Sequence, residues 1–305
     1  MTGAVRMRTA WQSASLMLRR RLLRALTARP SAHGHPRFAV LANDTVSEEV
    51  LVAGLYEEAL LLMLFDHLLK PRQAEFAGGV ALDIGANIGN HSVFMARYFA
   101  RVLSVEPNPT ALALLRCNLL LAGAHHVQVL PVGLADAPGT LEFRQNESGN
   151  LGGSGFAFTG LQAGHAIACD VVRGDDLFTP ELLGGRLRLV KIDIEGAELA
   201  ALKGLAATLE REQPLVLFES NRATGAGGGR EVFALLRELG YAQFLAIDEV
   251  RWFQGRISRL LTRLVIGERL RVQPIEAPEH PPYSLIVAVP RGQVPWPHDA
   301  RITPA

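Results

Sequence analysis

Between Val80 and Phe218 the chain keeps returning to short, nearly uninterrupted apolar runs of β-type residues, and between those runs it takes on helical spacing. Val80 to Ile84, Val102 to Val105, Val127 to Pro131, Leu187 to Ile194 and Pro214 to Phe218 read as strands covered on both faces, because neither face of them is polar. Asn90 to Phe99, Pro109 to Ala122, Ala197 to Glu210 and Gly229 to Leu239 read as the helices between them. That alternation predicts a parallel, doubly wound α/β sheet. Two later runs, Tyr241 to Ile247 and Tyr283 to Val289, have no crossover helix tightly between them and predict an antiparallel pair at the sheet edge.

Composition narrows the function classes. The 305 residues are 49% hydrophobic, ample for a core, and 31 Lys+Arg against 30 Asp+Glu leave a formal net charge of +1. No global field draws such a chain to nucleic acid, so none is expected as a partner, and any charge-driven contact must be local. The two cysteines, Cys117 in a helical pattern and Cys169 in a strand-like one, suit neither a disulfide framework nor a metal cluster. They read as small core hydrophobes in a reducing compartment, and a cytoplasmic location is expected.

Arg6, Arg8, Arg19, Arg20, Arg21, Arg24 and Arg29 lie among Leu, Ala and Met with no acidic residue before Asp44, which marks residues 1–44 as a basic arm. Arg19 to Arg21 interrupt the apolar run and argue against a secretory signal. A solvated helix is the default expectation, with docking on an anionic membrane or a partner as the alternative. Val50 to Leu69 contains Glu57, Glu58, Asp66 and His67, short of the roughly 20 apolar residues of a spanning helix, and reads as an amphipathic helix. Thr45 and Glu48 form a capping-box pattern before it, and Lys70-Pro71 ends it. The expected organisation is the arm, a catalytic domain over 45–290 with a basic insertion at 248–282, and a tail over 291–305.

The first strand runs into D-I-G-A-N-I-G-N-H-S, Asp83 to Ser92. In a doubly wound sheet ligands bind beyond the carboxyl ends of the strands, so the turn holding Gly85 and Gly89 is where a cofactor is expected. Glu106 ends the second strand about 20 residues on, the spacing at which a carboxylate reaches the two hydroxyls of a ribose. Together they predict an adenosine-containing cofactor. A pyrophosphate wants G-x-G-x-x-G with no anion close by. Here the pattern is Asp83-x-Gly85-x-Asn87-x-Gly89, whose carboxylate suits an ammonium or sulfonium, and this favours S-adenosylmethionine over a nicotinamide dinucleotide.

These residues, with V-E-P-N-P at Val105 to Pro109, V-K-I-D-I-E-G-A-E at Val190 to Glu198 and L-F-E at Leu217 to Glu219, resemble the FkbM-type S-adenosylmethionine-dependent methyltransferases. The resemblance covers roughly Leu55 to Ile247. It implies the class I, Rossmann-like methyltransferase fold, a seven-stranded mostly parallel sheet with an antiparallel last strand, and methylation of a hydroxyl on a sugar, glycan or secondary metabolite. It implies that Asp83, Gly85, Asn87 and Gly89 hold the methionine part, Glu106 the ribose, and that Asp136 lies near the adenine.

In an extended strand Asp193 and Glu195 share a face, and Asp193 stands at the carboxyl end of a central strand, over the cofactor crevice. It is a candidate to accept the substrate proton, to bind the methionine ammonium or to ligate a metal; Glu195 can equally favour the start of the next helix, and Glu198 reads as a helix-start residue. Alkyl hydroxyls are weak nucleophiles at neutral pH, so the proton needs an acceptor, and His91 and Glu219 are further candidates. Asp193, Glu195 and Glu219 have the oxygen chemistry for Mg²⁺ but no diagnostic spacing, and no metal is assigned. His280-Pro-Pro-Tyr283 reads as a turn before the last strand, and the glycine-rich Asn150 to Gly164 as a surface hairpin, with a substrate-covering loop as the alternative. From Arg251 to Arg271 six arginines face a single Glu268 around a helical apolar stripe, which predicts a basic helix packed on the domain with a solvated arginine face by default, and with recruitment of an anionic acceptor as the alternative. A nicotinamide-dependent oxidoreductase and a non-catalytic cofactor-binding subunit are the rival readings.

Overall fold

The structure, a computed structural model, describes residues 10–27, 36–146, 151, 154–156, 165–194, 196–219, 225–249, 270–277 and 283–293. The helix α1 (Ala10–Thr27) precedes α2 (Thr45–Ala53), α3 (Glu58–Leu62), a π-helical turn over Met63–Leu68 and α4 (Gln73–Ala77). Alternation then begins: β1 (Val80–Ile84), α5 (Asn90–Met95), β2 (Arg101–Val105), α6 (Pro109–Leu121), β3 (Val127–Leu130) and the short β4 (Gly133–Ala135). Next come β5 (Gly139–Gln145), β6 (Gly155–Phe156), β7 (His165–Arg173), α7 (Gly174–Leu177), α8 (Pro180–Leu183) and β8 (Leu187–Ile192). The chain closes with α9 (Glu198–Gly204), α10 (Ala206–Glu212), β9 (Leu215–Phe218), α11 (Gly225–Glu238), β10 (Tyr241–Glu249), β11 (Leu270–Pro274) and β12 (Leu285–Pro290).

The main sheet has eight strands in the order β11-β10-β12-β9-β8-β1-β2-β3. From β3 to β9 neighbours are parallel, whereas β12 lies antiparallel between β9 and β10. The antiparallel pair of late runs thus forms, with β12 inside the sheet and the edge taken by β11, which adds an eighth strand to the expected seven. Leu270 and Arg271, read in the sequence as the end of a basic helix, belong instead to β11, which pairs with β10, Arg271 opposite Asp248. Its alternation of Leu270, Val272 and Pro274 with polar residues is the period of a half-covered edge strand. The rest of the proposed basic helix, 251–269, lies outside the described residues, as do His280 to Pro282.

Two apolar layers sandwich the sheet, and the strand period sorts side chains between them. Val80, Leu82 and Ile84 of β1, with Val216 and Phe218 of β9, face Leu202, Leu205 and Leu209 of the α9–α10 segment and Phe233 of α11. Ala81 and Leu217 face the opposite layer, built from Leu64, Phe65 and Leu68 of the π-helical turn, Phe76 of α4 and Phe94 of α5. Truncating one of these buried leucines to alanine costs about 2–5 kcal/mol in a typical core.

Local chemistry shifts several expected boundaries. Asp44, not Thr45, caps α2, accepting the Ser47 N–H at 2.8 Å. Residues before the expected boundary at 44 already pack on the domain: Phe38 meets the core and the Ala39 N–H donates to Asn118 Oδ1 at 2.6 Å. The single amphipathic helix expected over Val50 to Leu69 is broken at Gly54, whose φ of 101° ends α2, and Glu57 takes a left-handed φ of 56° before α3 starts. Cys169 is buried as expected, but Cys117 sits on an exposed face of α6. A second, four-stranded sheet has the order β4-β7-β5-β6; of it the sequence shows only the strand-like pattern around Cys169, in β7, and the expected surface hairpin.

Candidate active site

The turn after β1 is built from three left-handed residues: Gly85 (φ 80°), Asn87 (φ 49°) and Gly89 (φ 89°). Gly85 has no alternative, since a Cβ there would lie 1.9 Å from the Asp193 carbonyl oxygen. That closeness is the β1–β8 pairing carried one residue past the strand, with the Asp193 N–H donating to the Ile84 carbonyl at 3.0 Å. Gly89 serves packing: a Cβ would meet Leu115 Cδ1 at 2.5 Å, so its absence lets α5 close on α6. The backbone N–H groups of Gly85 and Ala86 donate to the Val105 carbonyl at 3.0 and 3.1 Å, tying the turn to the end of β2.

A cavity of about 250 Å³ opens there, at the carboxyl ends of β2, β1, β8 and β9. Glu106, Asp193 and Glu219, each just past one of those strands, lie on its wall with Gly85 and Asn87. Parallel neighbours are spaced by roughly 4.8 Å, which sets the strand ends carrying Glu106 and Asp193 roughly 10 Å apart and those of Glu106 and Glu219 roughly 14 Å apart. One cavity therefore spans the distance between a ribose-type carboxylate and two further acids.

Glu106 is buried, and each of its oxygens takes one backbone N–H: Oε2 from Asn87 and Oε1 from Asn108, both at 2.8 Å. Burial pushes its carboxyl up to about 7, against the two backbone donors that favour the charged form. Asp83 does not reach the wall. It is fully buried beneath the turn, accepting from Ser92 Oγ at 2.5 Å, with Lys191 Nζ 3.5 Å from its Oδ1. The same Nζ stands 3.2 Å from Asp193 Oδ2, so one buried ammonium bridges the acid under the turn and the acid in the cavity. Burial alone pulls the Lys191 ammonium down, but Asp193, Asp83 and Glu219 outweigh it and hold it above its ordinary range.

The structure places the remaining sequence candidates elsewhere. His91 has its Nε2 3.6 Å from Glu57 Oε2 and its ring edge-on to Tyr56, centroids 6.4 Å apart, and it does not line the cavity. Asp136 is exposed one residue beyond β4, where Gly133 and Leu134 form the wall instead. Glu198 starts α9 and accepts the Gly196 N–H at 3.0 Å. Glu195 lies outside the described residues. Among the described residues no group of three His, Cys, Asp or Glu is arranged to hold a metal.

Several wall residues escaped the sequence reading. Tyr56 enters between α2 and α3, its backbone clamped by Asn90, whose Oδ1 accepts the Tyr56 N–H and whose Nδ2 donates to the Tyr56 carbonyl, both at 3.0 Å. Burial, then the charges of Glu57, Glu219 and Asp193, raise its phenol far above the ordinary range and keep it a hydrogen-bond donor. Leu151, Ser154, Phe143 and Phe156 come from the second sheet and its connection, so the glycine-rich stretch reaches the cavity. Asp44 fastens it: its Oδ1 accepts the Leu151 N–H at 2.8 Å while its Oδ2 caps α2. Signals for these were present only as Gly54 and the Phe-bearing glycine run.

Two features fit an adenosine carrying an amino acid. Each Glu106 oxygen, holding one backbone N–H, keeps a lone pair for a ribose hydroxyl. Asn87 Oδ1, buried at the wall, has no hydrogen-bond partner in the protein and needs an outside donor.

A doubly wound sheet with β12 antiparallel and a ribose-type carboxylate after β2 defines a class I methyltransferase fold. Residues 83–242 match the Methyltransferase FkbM domain, and the chain belongs to that family. It is 28% identical over 211 residues to Methyltransferase sdnD of Sordaria araneosa, covering 60% of this chain and 80% of that one. To Methyltransferase 1 of Beauveria bassiana it is 30% identical over 188 residues, 55% of this chain and 72% of the relative. Among solved structures, Methyltransferase FkbM from Methylobacillus flagellatus aligns over 90% of this chain and 60% of that one at 16% identity and a TM-score of 0.44.

Proposed function

We propose that this chain transfers the methyl group of S-adenosylmethionine to a hydroxyl oxygen of a small acceptor such as a sugar, glycan or secondary metabolite. The observation that carries this is that Glu106 past β2 and Asp193 and Glu219 past β8 and β9 line the same cavity. Glu106 holds the ribose hydroxyls, Asn87 Oδ1 takes a donor of the cofactor, and the Phe143 and Phe156 rings wall the apolar side. When bound, the cofactor supplies an electrophilic methyl group.

The protein's own part is placement and proton handling. Lys191 fixes Oδ2 of Asp193, leaving Oδ1 to receive the acceptor's hydroxyl proton, and the Tyr56 phenol donates to the acceptor to orient it. Glu219 is the alternative proton acceptor on the same wall. Among the described residues the charged side chains on the wall, Glu106, Asp193 and Glu219, are all acidic. They favour a neutral or cationic hydroxyl compound over the anionic acceptor suggested by the 251–271 arginines.

The test is incubation of the chain with methyl-¹³C-labelled cofactor and panels of neutral polyols, glycosides, amines and acidic sugars, followed by NMR of the product. Label in an O-methyl resonance is expected. Label confined to nitrogen or carbon, or the absence of transfer with every acceptor class while cofactor binds, overturns it.

A further inference from the structure

We infer that α1 is a membrane-surface anchor, laid flat on an anionic lipid leaflet by a tryptophan-led apolar stripe between arginines. With about 100° of turn per residue, Trp11, Leu18 and Leu22 fall within about 40° of one another, and Ala14 and Ala25 extend the same stripe. Arg19 and Arg21 stand about 80° to either side of it, where long stems reach along a lipid boundary while the guanidinium groups meet phosphates.

The stripe faces solvent. Trp11 is 82% exposed, Leu18 59% and Leu22 54%; among the helix residues whose side chains are described only Ser15, at the edge of the same stripe, and Leu16, on another face, are half-buried. Leaving three large apolar side chains in line in water is unfavourable, so the stripe calls for an occupant. Charge selects which. Eight arginines and no acidic residue precede Asp44, although the whole chain carries a formal net charge of only +1. Arg19, Arg20, Arg21 and Arg24 are all exposed. An acidic lipid surface covers the stripe and meets Arg19 and Arg21 at its edges, with Arg20 and Arg24 on the far side adding to the positive field. No helix among the described residues is long and apolar enough to cross a membrane, so α1 lies on the surface.

The experiment uses the full chain and vesicles of phosphatidylcholine with or without phosphatidylserine, read by co-sedimentation. Binding is expected to the phosphatidylserine vesicles and to weaken as salt rises through physiological strength. Arg19→Gln, Arg20→Gln, Arg21→Gln and Arg24→Gln combined should lower the partition coefficient by about 10²–10³-fold. Trp11→Ser with Leu18→Ser and Leu22→Ser should abolish binding even at low salt, with cofactor affinity unchanged as the check on folding. Equal binding to neutral vesicles, no binding to anionic ones, or binding retained by both variants overturns the inference. So does self-association in analytical ultracentrifugation that the triple serine variant removes, because a second copy then covers the stripe.

Discussion

The backbone N–H of Asn87 donates to Glu106 Oε2 at 2.8 Å, so the turn after β1 and the end of β2 share one buried carboxylate. Glu106 is thereby aimed before any cofactor arrives. Glu106→Ala should weaken S-adenosylmethionine binding by about 1.5–3 kcal/mol, the usual worth of a hydrogen bond to a charged group, read by isothermal titration. An unchanged dissociation constant in a folded variant removes the ribose assignment.

The same carboxyl makes binding depend on pH. Its folded value of about 7 lies above the ordinary 4.5, so its contribution to stability is complete below about 4.5 and is lost as pH rises through 7. Cofactor affinity runs the other way, because the ionised form accepts the ribose hydroxyls best. The dissociation constant for S-adenosylhomocysteine should fall by up to about tenfold per pH unit on approaching 7 from below and then level off. Glu106→Gln should flatten both profiles; a wild-type profile that is already flat contradicts the prediction.

Lys191 is buried between Asp83 and Asp193. Lys191→Met strands two carboxylates and should destabilise the fold by about 3–5 kcal/mol in urea unfolding. Adding Asp83→Asn should recover part of that loss, and strict additivity of the two changes would show that the pair is not coupled.

Asp193→Asn should keep cofactor affinity while methyl transfer falls by a factor on the order of 10² or more. Tyr56→Phe, which removes the donor and keeps the ring, should act on acceptor KM and kcat without touching the cofactor. If transfer survives Asp193→Asn, Glu219→Gln is the next variant to assay.

Gly85→Ala forces a Cβ toward the Asp193 carbonyl at a left-handed φ. Strain and overpacking together should cost about 2–5 kcal/mol, seen as a lowered thermal midpoint. Near-native stability would mean that β1 and β8 part easily at this point.

What could be read from the sequence follows burial. The bounds of β1 came out residue for residue, and those of β2, β3 and β9 within a residue: β1, β2 and β9 are covered on both faces and largely apolar, and the half-buried edge strand β3 still has three apolar residues in four. The glycine turn and Glu106 were legible through spacing. The second sheet was not: β5 and β7 mix exposed polar and apolar residues with little period, and β6 is only two residues long. Tyr56 was hidden because Val50 to Leu69 looks like one helix until the positive φ values at Gly54 and Glu57 break it. His91 drew notice by its place near the turn, and its contact with Glu57, 34 residues earlier, is a property of the folded chain alone.

The second sheet gives the cavity a divided ancestry. Glu106, Gly85 and Asp193 sit on the parallel sheet, whose strands cannot shift without disturbing two apolar layers. Phe143 and Phe156 sit on a smaller sheet whose strand β6 is bonded to a single neighbour and whose connection is tied back to α2 through Asp44. The parallel sheet's side of the cavity is thus fixed by the core on two faces, whereas the Phe143 and Phe156 side depends on few strand bonds. If the acceptor lies against Phe143 and Phe156, exchanging that wall should change acceptor preference while cofactor affinity stays the same, read by titration and product analysis.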